Sequence, residues 1–573
     1  RSFRRKLGVV WRGRGRKLAF DGATKPFRVV SASSDWFAHQ PDVSDAPFVV
    51  LDFSGLEPEN PGFAFWRPRN LSAGHPVRYR RGHGRHRARG VLVGRGRLDG
   101  PRRALDFAGV NGPRVESGKI LLMWIFEPAR HTPIACEVDL CVVGGSCTGV
   151  FAAVRAARLG LSVALIEQNV LFGGMATAAL VNEWHSTRDV AGQKTIIGGL
   201  TQEVMARLRK RGVVSEMGSG RIQWRFNAAE LALELDALVR NPDGEKGFIR
   251  PFLAARCVGA IAESRGEKTA ISGVFIEDRS GRRAIRARFW VDASGDGVLL
   301  RAAGLGAWKN ETLQPVNLQA LQRGWQEIEN GVLDRARKNW ADEFGYPHEN
   351  AAPWPVGVSG ADELRNVFGP RLNGVDASDA DQYTHALLEG RRMQRALCLM
   401  LEKESGQPFS VVAHAHALGV RQTWQACCEH RLRGEELLRG EPFFDAIAKG
   451  TYPLDIHSAQ GTSLRYLDGR EEQISVSGER LWTRWRDENE SPTCYQIPFR
   501  ALVPQNSANL VVAGRLLDAD AQAFGGARVM VNCNQMGEAA GVAAFLCLQN
   551  RSAPSQLDAP ALRSTLNAGG SLL

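Results

Sequence analysis

The chain has 573 residues, 44% hydrophobic and 23% charged, proportions of a globular protein long enough for roughly two to four domains. No apolar run approaches the ~20 residues that span a bilayer, and the opening R-S-F-R-R-K-L-G has charge without the apolar core of a secretory signal. The net charge of +12 belongs to one end: residues 1–103 carry 22 Lys and Arg against 8 Asp and Glu, and the other 470 carry 51 against 53.

Ten cysteines are scattered without a C-x-x-C pair. That pattern argues against a redox dithiol, and Cys136, Cys141 and Cys147 are spaced wrongly for zinc or an iron–sulfur cluster; no metal site is expected. Reduced, buried thiols in a cytoplasmic protein are the expectation. The chain opens on Arg1, not Met, which fits a missing upstream segment.

In chain order, residues 1–20 read as a basic tail. Short β-rich runs follow from Pro26 to Pro128: F-R-V-V, F-V-V-L-D-F, F-A-F-W, G-V-L-V and K-I-L-L-M-W-I-F. They predict a basic, β-rich accessory region over residues 1–135. Its most cationic stretch, Arg78 to Arg103, has few aromatics and no recognisable binding motif. It reads as a solvated Arg/Gly loop, and a nucleic-acid partner is not expected.

Val142 to Glu167 is the most informative segment. The apolar run Leu140 to Val143 suits a buried parallel strand, and a small-residue turn follows: Gly144, Gly145, Ser146, Cys147, Thr148 and Gly149. An apolar helix face (Val150, Phe151, Val154, Ala157) runs to Gly160, with Arg155 and Arg158 near its end. A second apolar run, Val163 to Ile166, closes on Glu167, 23 residues beyond Gly144. This is a dinucleotide-binding β-α-β unit: glycine for a sharp turn and close helix packing, first-turn amides for a pyrophosphate, an acid for ribose hydroxyls. Ser146 stands where a second glycine is usual.

F-G-G-M-A-T then offers Gly173, Gly174, Met175, Ala176 and Thr177 as a second close-approach turn. His185 follows, then a helical pattern from Phe226 onward, F-N-A-A-E-L-A-L-E-L-D, and strands around Val258, Val274 to Ile276 and Ala287 to Val291. W-V-D-A-S-G-D-G ends a strand at Asp292, Ala293, Ser294, Gly295 and Asp296, where the sheet would meet a cofactor again. Residues 305–490, irregular and Trp-rich, read as a substrate or cap domain. Sheet returns at Y-Q-I-P-F-R-A-L-V-P and N-L-V-V-A-G-R, and a small-residue helix spans Asn534 to Leu548. Residues 551–573 read as a tail.

Taken together, V-V-G-G-S-C-T-G, F-G-G-M-A-T, V-D-A-S-G-D-G, L-G-V-R-Q-T, Y-P-L-D-I-H, Y-Q-I-P-F-R-A-L-V-P, N-L-V-V-A-G-R and G-E-A-A-G-V-A-A resemble the FAD-dependent oxidoreductase family, distantly akin to glutathione-reductase-like and fumarate-reductase-like flavoproteins. The resemblance covers roughly residues 137–550. It implies an α/β fold with an interrupted Rossmann-type FAD-binding domain, its parts at 136–304 and 491–550. It also implies non-covalent FAD, with Gly144 to Gly149 on the pyrophosphate, Glu167 on the adenosine ribose and Gly173 to Thr177 along pyrophosphate and flavin. Val258 would touch adenine and Asp292 to Asp296 would form a second wall. Gly514 and Arg515, with a turn containing Met536, Gly537, Ala540 and Gly541, would reach the ribityl chain and ring. A-G-R stands where many flavoproteins have a ribityl-binding acid, for which Asp518 or Asp520 would substitute.

Since the flavin carries the redox step, the protein must place a substrate C–H near N5 and manage a proton. His185, Arg421, His457 with Asp455, and Arg528 are the acid–base or anchoring candidates. The expected reaction is dehydrogenation or oxidation of a polar, hydroxylated or carbohydrate-like molecule, with a separate electron acceptor; a homo-oligomer is compatible. A flavin monooxygenase and a polyanion-binding protein on an FAD-like scaffold are the alternatives.

Overall fold

The structure, a computed structural model, describes residues 127–573 apart from 217–221, 243–246, 327, 349–352 and 477, together with four short strands ahead of them. The chain divides into Arg1–His131 and Thr132–Leu573. In the first unit Phe48–Asp52 pairs antiparallel with Arg89–Val93, and Arg12–Gly13 with Arg16–Lys17. Two of the runs read as strands, F-V-V-L-D-F and G-V-L-V, are thus paired. The other three, and most of the Arg-rich stretch, lie outside the described residues.

The second unit is organised on a seven-stranded sheet. Strand β1 (Ile134–Val143), helix α1 (Cys147–Arg158) and strand β2 (Ser162–Ile166) form the expected unit, with β1 and β2 parallel. Helices α2 (Gly199–Lys210) and α3 (Ala228–Arg240) lead to β3 (Phe248–Phe252), parallel to β2. An antiparallel meander follows: β4 (Arg256–Arg265), β5 (Lys268–Asp278) and β6 (Gly281–Asp292). The order is β3-β2-β1-β6-β5-β4. From Ala284 onward β6 runs parallel to β1, and Trp290 to Asp292 also pair with β7 (Leu510–Val512), which returns from far along the chain. This is an interrupted Rossmann-type α/β fold.

After α4 (Val298–Ala302) the chain leaves the sheet. Apolar residues from Val316 to Val420 make a second core, centred on the long helix α5 (Ala380–Ser405). The apolar side chains from Ala426 to Tyr495, by contrast, join the core of the main sheet. The expected 305–490 cap therefore divides between two cores near residue 420. Helix α6 (Ala521–Ala527) and helix α7 (Met530–Asn550) follow β7. Residues 551–573 are not a tail: Asp558 caps helix α8 (Ala559–Ala568), which buries Leu562 and Leu566 in the main core.

Close backbone approach fixes α1. A Cβ on Gly149 would collide with the carbonyl of Gly144, and Cβ atoms on Gly537 and Gly541 would collide with the carbonyls of Thr148 and Ala152. Met536, Gly537, Ala540 and Gly541 are therefore inside α7, with both glycines packed on α1, and do not form the expected turn. The helix starts at Met530, four residues ahead of the expected Asn534. Arg155, read as a cation at a helix end, is 6% exposed and pairs with Glu538, 1% exposed, whose other oxygen accepts from the Leu200 amide at 3.0 Å. This ion pair ties α1 to α7 and α2.

Removing one partner of such a pair strands the other in the core. Glu538→Leu is expected to cost about 3–5 kcal/mol in urea unfolding, and Arg155→Met combined with Glu538→Leu to recover most of it. Equal losses in the single and double variants would place the stabilisation elsewhere.

Candidate functional site

Two constellations stand out on this framework. The first is a cradle of backbone. Gly144 leaves β1 with φ +103°, its amide donating to Ile166 O at 2.8 Å. A Cβ here would sit 2.5 Å from Ala293, so the first turn presses directly on the second strand-end turn. Gly173 (φ +110°) donates to Gly145 O at 2.9 Å, and Gly174 (φ +54°) lies over Ser146. Thr177 ties its hydroxyl to Phe172 O at 2.6 Å, and Met175 and Ala176 complete a short 3-10 turn. Three segments distant in sequence thus meet around Ser146, Cys147 and Thr148.

The first turn of α1 has neither a side-chain cap nor an acidic residue. The leading amides of a helix have no intrahelical partner, and the dipole makes that end attractive to anions. Glu167 is nearly buried. Its carboxylate accepts from Gly145 N at 2.7 Å and from both nitrogens of Asn169, and burial raises its pKa against those bonds.

Asp292 accepts from Ser294 and from the amides of Leu299 and Leu300 at 2.9 Å, so it caps α4 and holds its turn rigid. Asp296 accepts from the Thr423 hydroxyl at 2.8 Å and lies 3.6 Å from Arg515, which rests over Gly295. Gly514, with φ +72°, faces Thr148. Val258 sits at a bulge of β4 and is 37% exposed. Cys147 is buried, which pushes its thiol up to about 12. Neither Asp518 nor Asp520 is spare. Asp518 accepts from Cys428 N, Arg431 and Trp308, and Asp520 caps α6 and takes the Gly434 amide.

The second constellation is ionic and centres on Asp455, 5% exposed. Its Oδ2 accepts from Tyr452 Oη at 2.7 Å, His457 Nε2 at 3.1 Å and Arg528 Nη2 at 3.3 Å. His185 stacks on Tyr452 with ring centroids 4.4 Å apart. Arg421 donates to Pro315 O at 2.8 Å and interacts electrostatically with Arg528, Arg371 and Asp455. All four acid–base or anchoring candidates, from separate stretches of the chain, therefore belong to one cluster. Asp455 is held well below the carboxylate range by His457 and Arg528, despite burial. Burial, reinforced by Arg421 and Arg371, pushes His457 down to about 3 against the pull of Asp455.

Sequence reasoning missed Arg371, Thr462 and Gln314. Thr462 Oγ1 bridges His457 Nδ1 (2.9 Å) and Arg371 Nη1 (3.1 Å), and Gln314 reaches Arg528 and the His457 amide. Tyr452 is visible as the first residue of Y-P-L-D-I-H, but only the fold turns its hydroxyl toward Asp455.

A family model described as FAD dependent oxidoreductase matches residues 139–566. The chain belongs to this family. Its members' cofactor, FAD, is thereby the cofactor of this protein, and the protein is an FAD-dependent oxidoreductase. Among solved structures it is similar to a geranylgeranyl bacteriochlorophyll reductase-like protein from Thermoplasma acidophilum, with 12% identity, TM-score 0.35, and 75% of this chain and 83% of that chain covered. A myxobacterial chondrochloren halogenase gives 14%, 0.37, 75% and 78%, and a flavoprotein/dehydrogenase from Cytophaga hutchinsonii 13%, 0.36, 73% and 80%. These likenesses say nothing of the reaction here. No curated protein sequence matches the chain. No described helix is long and apolar enough to cross a membrane.

Gly144→Val places a branched side chain at φ +103° and against Ala293. Purified variant protein is expected to lose about 90% or more of its FAD, because such strain and collision cost several kcal/mol at the turn. Flavin absorbance per chain after gel filtration measures this, and a full complement of FAD would contradict it.

Proposed function

We propose that this FAD-dependent oxidoreductase is a dehydrogenase or oxidase of a polar, hydroxylated small molecule. One observation carries the reading: His185, Arg421, His457 and Arg528 gather, with Arg371 and Tyr452, about the buried carboxylate of Asp455. Burying this much charge opposes folding and marks functional sites. A cluster of donors and charges also suits a substrate rich in hydroxyl groups better than an apolar one.

In this reading the turn from Gly144 to Gly149, which opens α1, would hold the pyrophosphate, and Glu167 would hold the adenosine ribose beside Gly145. Gly173 to Thr177 would lie along pyrophosphate and flavin, Val258 would border the adenine, Asp292 to Asp296 would form the opposite wall, and Gly514 and Arg515 would approach the ribityl chain. The left-handed glycines, the uncapped helix start and the absence of an acid in its first turn fit a phosphorylated ligand. When bound, FAD would supply the two-electron acceptor for the oxidation.

The chain's own residues manage the proton. Ionised Asp455 only accepts hydrogen bonds, so Nε2 of His457 carries the hydrogen and Nδ1 is the basic nitrogen. Nδ1 faces Thr462 Oγ1. As hydride leaves a substrate carbon, the proton of the adjoining hydroxyl passes through Thr462 Oγ1 to Nδ1, leaving a carbonyl product. Asp455 fixes the ring and stabilises the imidazolium that forms, as carboxylates do for catalytic histidines elsewhere. Arg528 and Tyr452 hold Asp455 in place.

His457→Ala is expected to slow anaerobic flavin reduction by about 10²–10⁴-fold with FAD content unchanged. A neutral His457 is required, so activity falls as pH drops through its pKa. In the free protein that value is pushed from 6.5 down to about 3. The kcat/KM profile should therefore show no acid limb near 6.5, and a limb there would contradict the assignment. If no hydroxylated compound reduces the flavin, and NAD(P)H-dependent oxygen consumption is coupled to product instead, the protein is a monooxygenase.

A further inference from the structure

We propose that Arg371 and Arg421 seat a carboxylate group carried by the substrate, an inference that rests on the cluster around Asp455 being the active site. Arg371, Arg421 and Arg528 bring three guanidinium groups together, and the carboxylate they share is Asp455. Arg528 takes that carboxylate, at 3.3 Å. Among the described residues, no Asp or Glu lies within ion-pair distance of Arg371 or Arg421. Their protein partners are neutral: Thr462 Oγ1 for Arg371, and Pro315 O with Asn317 Oδ1 at 3.5 Å for Arg421.

Both arginines are nonetheless partly buried. Burial, then repulsion from Arg528 and Arg371, pushes Arg421 down to about 9, and burial lowers Arg371 too, whose Nε is buried without a partner. An arginine in a protein stays charged, so three guanidinium groups face the single carboxylate of Asp455 and the site carries an excess of positive charge. Such an arrangement is expensive for the fold and is relieved by an anion.

Position selects the substrate as the source of that anion. The segment Gln314 to Asn317 is the common support: Gln314 contacts Arg528 and the His457 amide, Pro315 accepts from Arg421, and Asn317 pairs with Arg371 across two strands. The two arginines are thus held on the same strip of backbone as the proposed base. Thr462, which bonds both Arg371 and His457, connects anchor and base directly. A planar fork of N–H donors matches the two oxygens of a carboxylate. The neighbouring Asp455 disfavours a dianion such as a phosphate monoester.

Anchor and base are also coupled. Arg371 and Arg421 are among the groups that push His457 down. A carboxylate seated on them offsets that influence and makes Nδ1 more basic when substrate is present.

The test is calorimetric titration of the holoenzyme at low ionic strength with acetate, acetamide and inorganic phosphate. Acetate is expected to bind at one site and acetamide at least about tenfold more weakly, since hydrogen bonds to a charged acceptor are stronger than those to a neutral one. Arg371→Met and Arg421→Met, checked for full FAD content, should each weaken acetate about tenfold or more, and Arg421→Lys by less. If Arg421→Met fails to hold FAD, Arg421→Lys and Arg371→Met carry the test. Equal binding of acetate and acetamide, acetate binding untouched by the variants, or phosphate binding tenfold tighter than acetate would each overturn the inference. Acetate binding that behaves as expected, in a protein whose flavin no hydroxylated compound reduces, would leave the anion seat standing and remove the proposed reaction.

Discussion

The architecture depends on how closely helix α1 can be approached from two sides. Its start meets the end of β6 across Gly144 and Gly149, and its flank meets α7 across Gly537 and Gly541. At each of these positions a single carbon would collide with backbone. The contact therefore leaves little room for a larger residue, because the backbone it meets is itself closely packed. The buried Arg155–Glu538 pair locks the same helix to α7 and α2. By holding α1 in this way, the fold delivers an uncapped helix start to the point where three glycine turns converge.

That rigidity serves the ionic cluster as well. Arg528 occupies the C-terminal cap of α6, immediately ahead of α7. Its guanidinium is thus carried just ahead of the helix that grips α1. Asp455 lies on a strand of the cap region, and its backbone packs tightly on Gly525 of α6. The glycine cradle and the charge cluster are consequently joined through α6 and α7.

Much of the framework is legible in the sequence because it is local. Val142 to Glu167 contains strand, turn, helix, strand and acid without interruption, so every physical requirement of the unit appears in one window. The strand-end turn at Asp292 to Asp296 reads the same way. What escapes reading depends on pairing at a distance. Nothing around Arg371 distinguishes it from a surface arginine until the strand carrying it pairs with Val316–Asn317. Asp518 and Asp520 look available in the sequence, yet Cys428, Arg431 and Gly434 consume them. Gly537 and Gly541 suggest closeness to a ligand, and they give closeness to another helix. The start of α7 carries no capping side chain, which explains its late placement. Helix α8 is different: Asp558, Pro560 and the Leu562–Leu566 spacing are a readable start and face, and the segment reads as a tail only because of its position.

The central claim is that the flavin ring and the Asp455 cluster face each other, with the ADP half of the cofactor on α1. A crystal structure of the holoenzyme decides it most directly. The expected result is pyrophosphate oxygens on the amides at the start of α1, ribose beside Glu167, and the reactive face of the ring toward His457, Arg371 and Arg421. A ring lying away from that cluster, with Asp455 and its partners walled off from the cofactor, would contradict it.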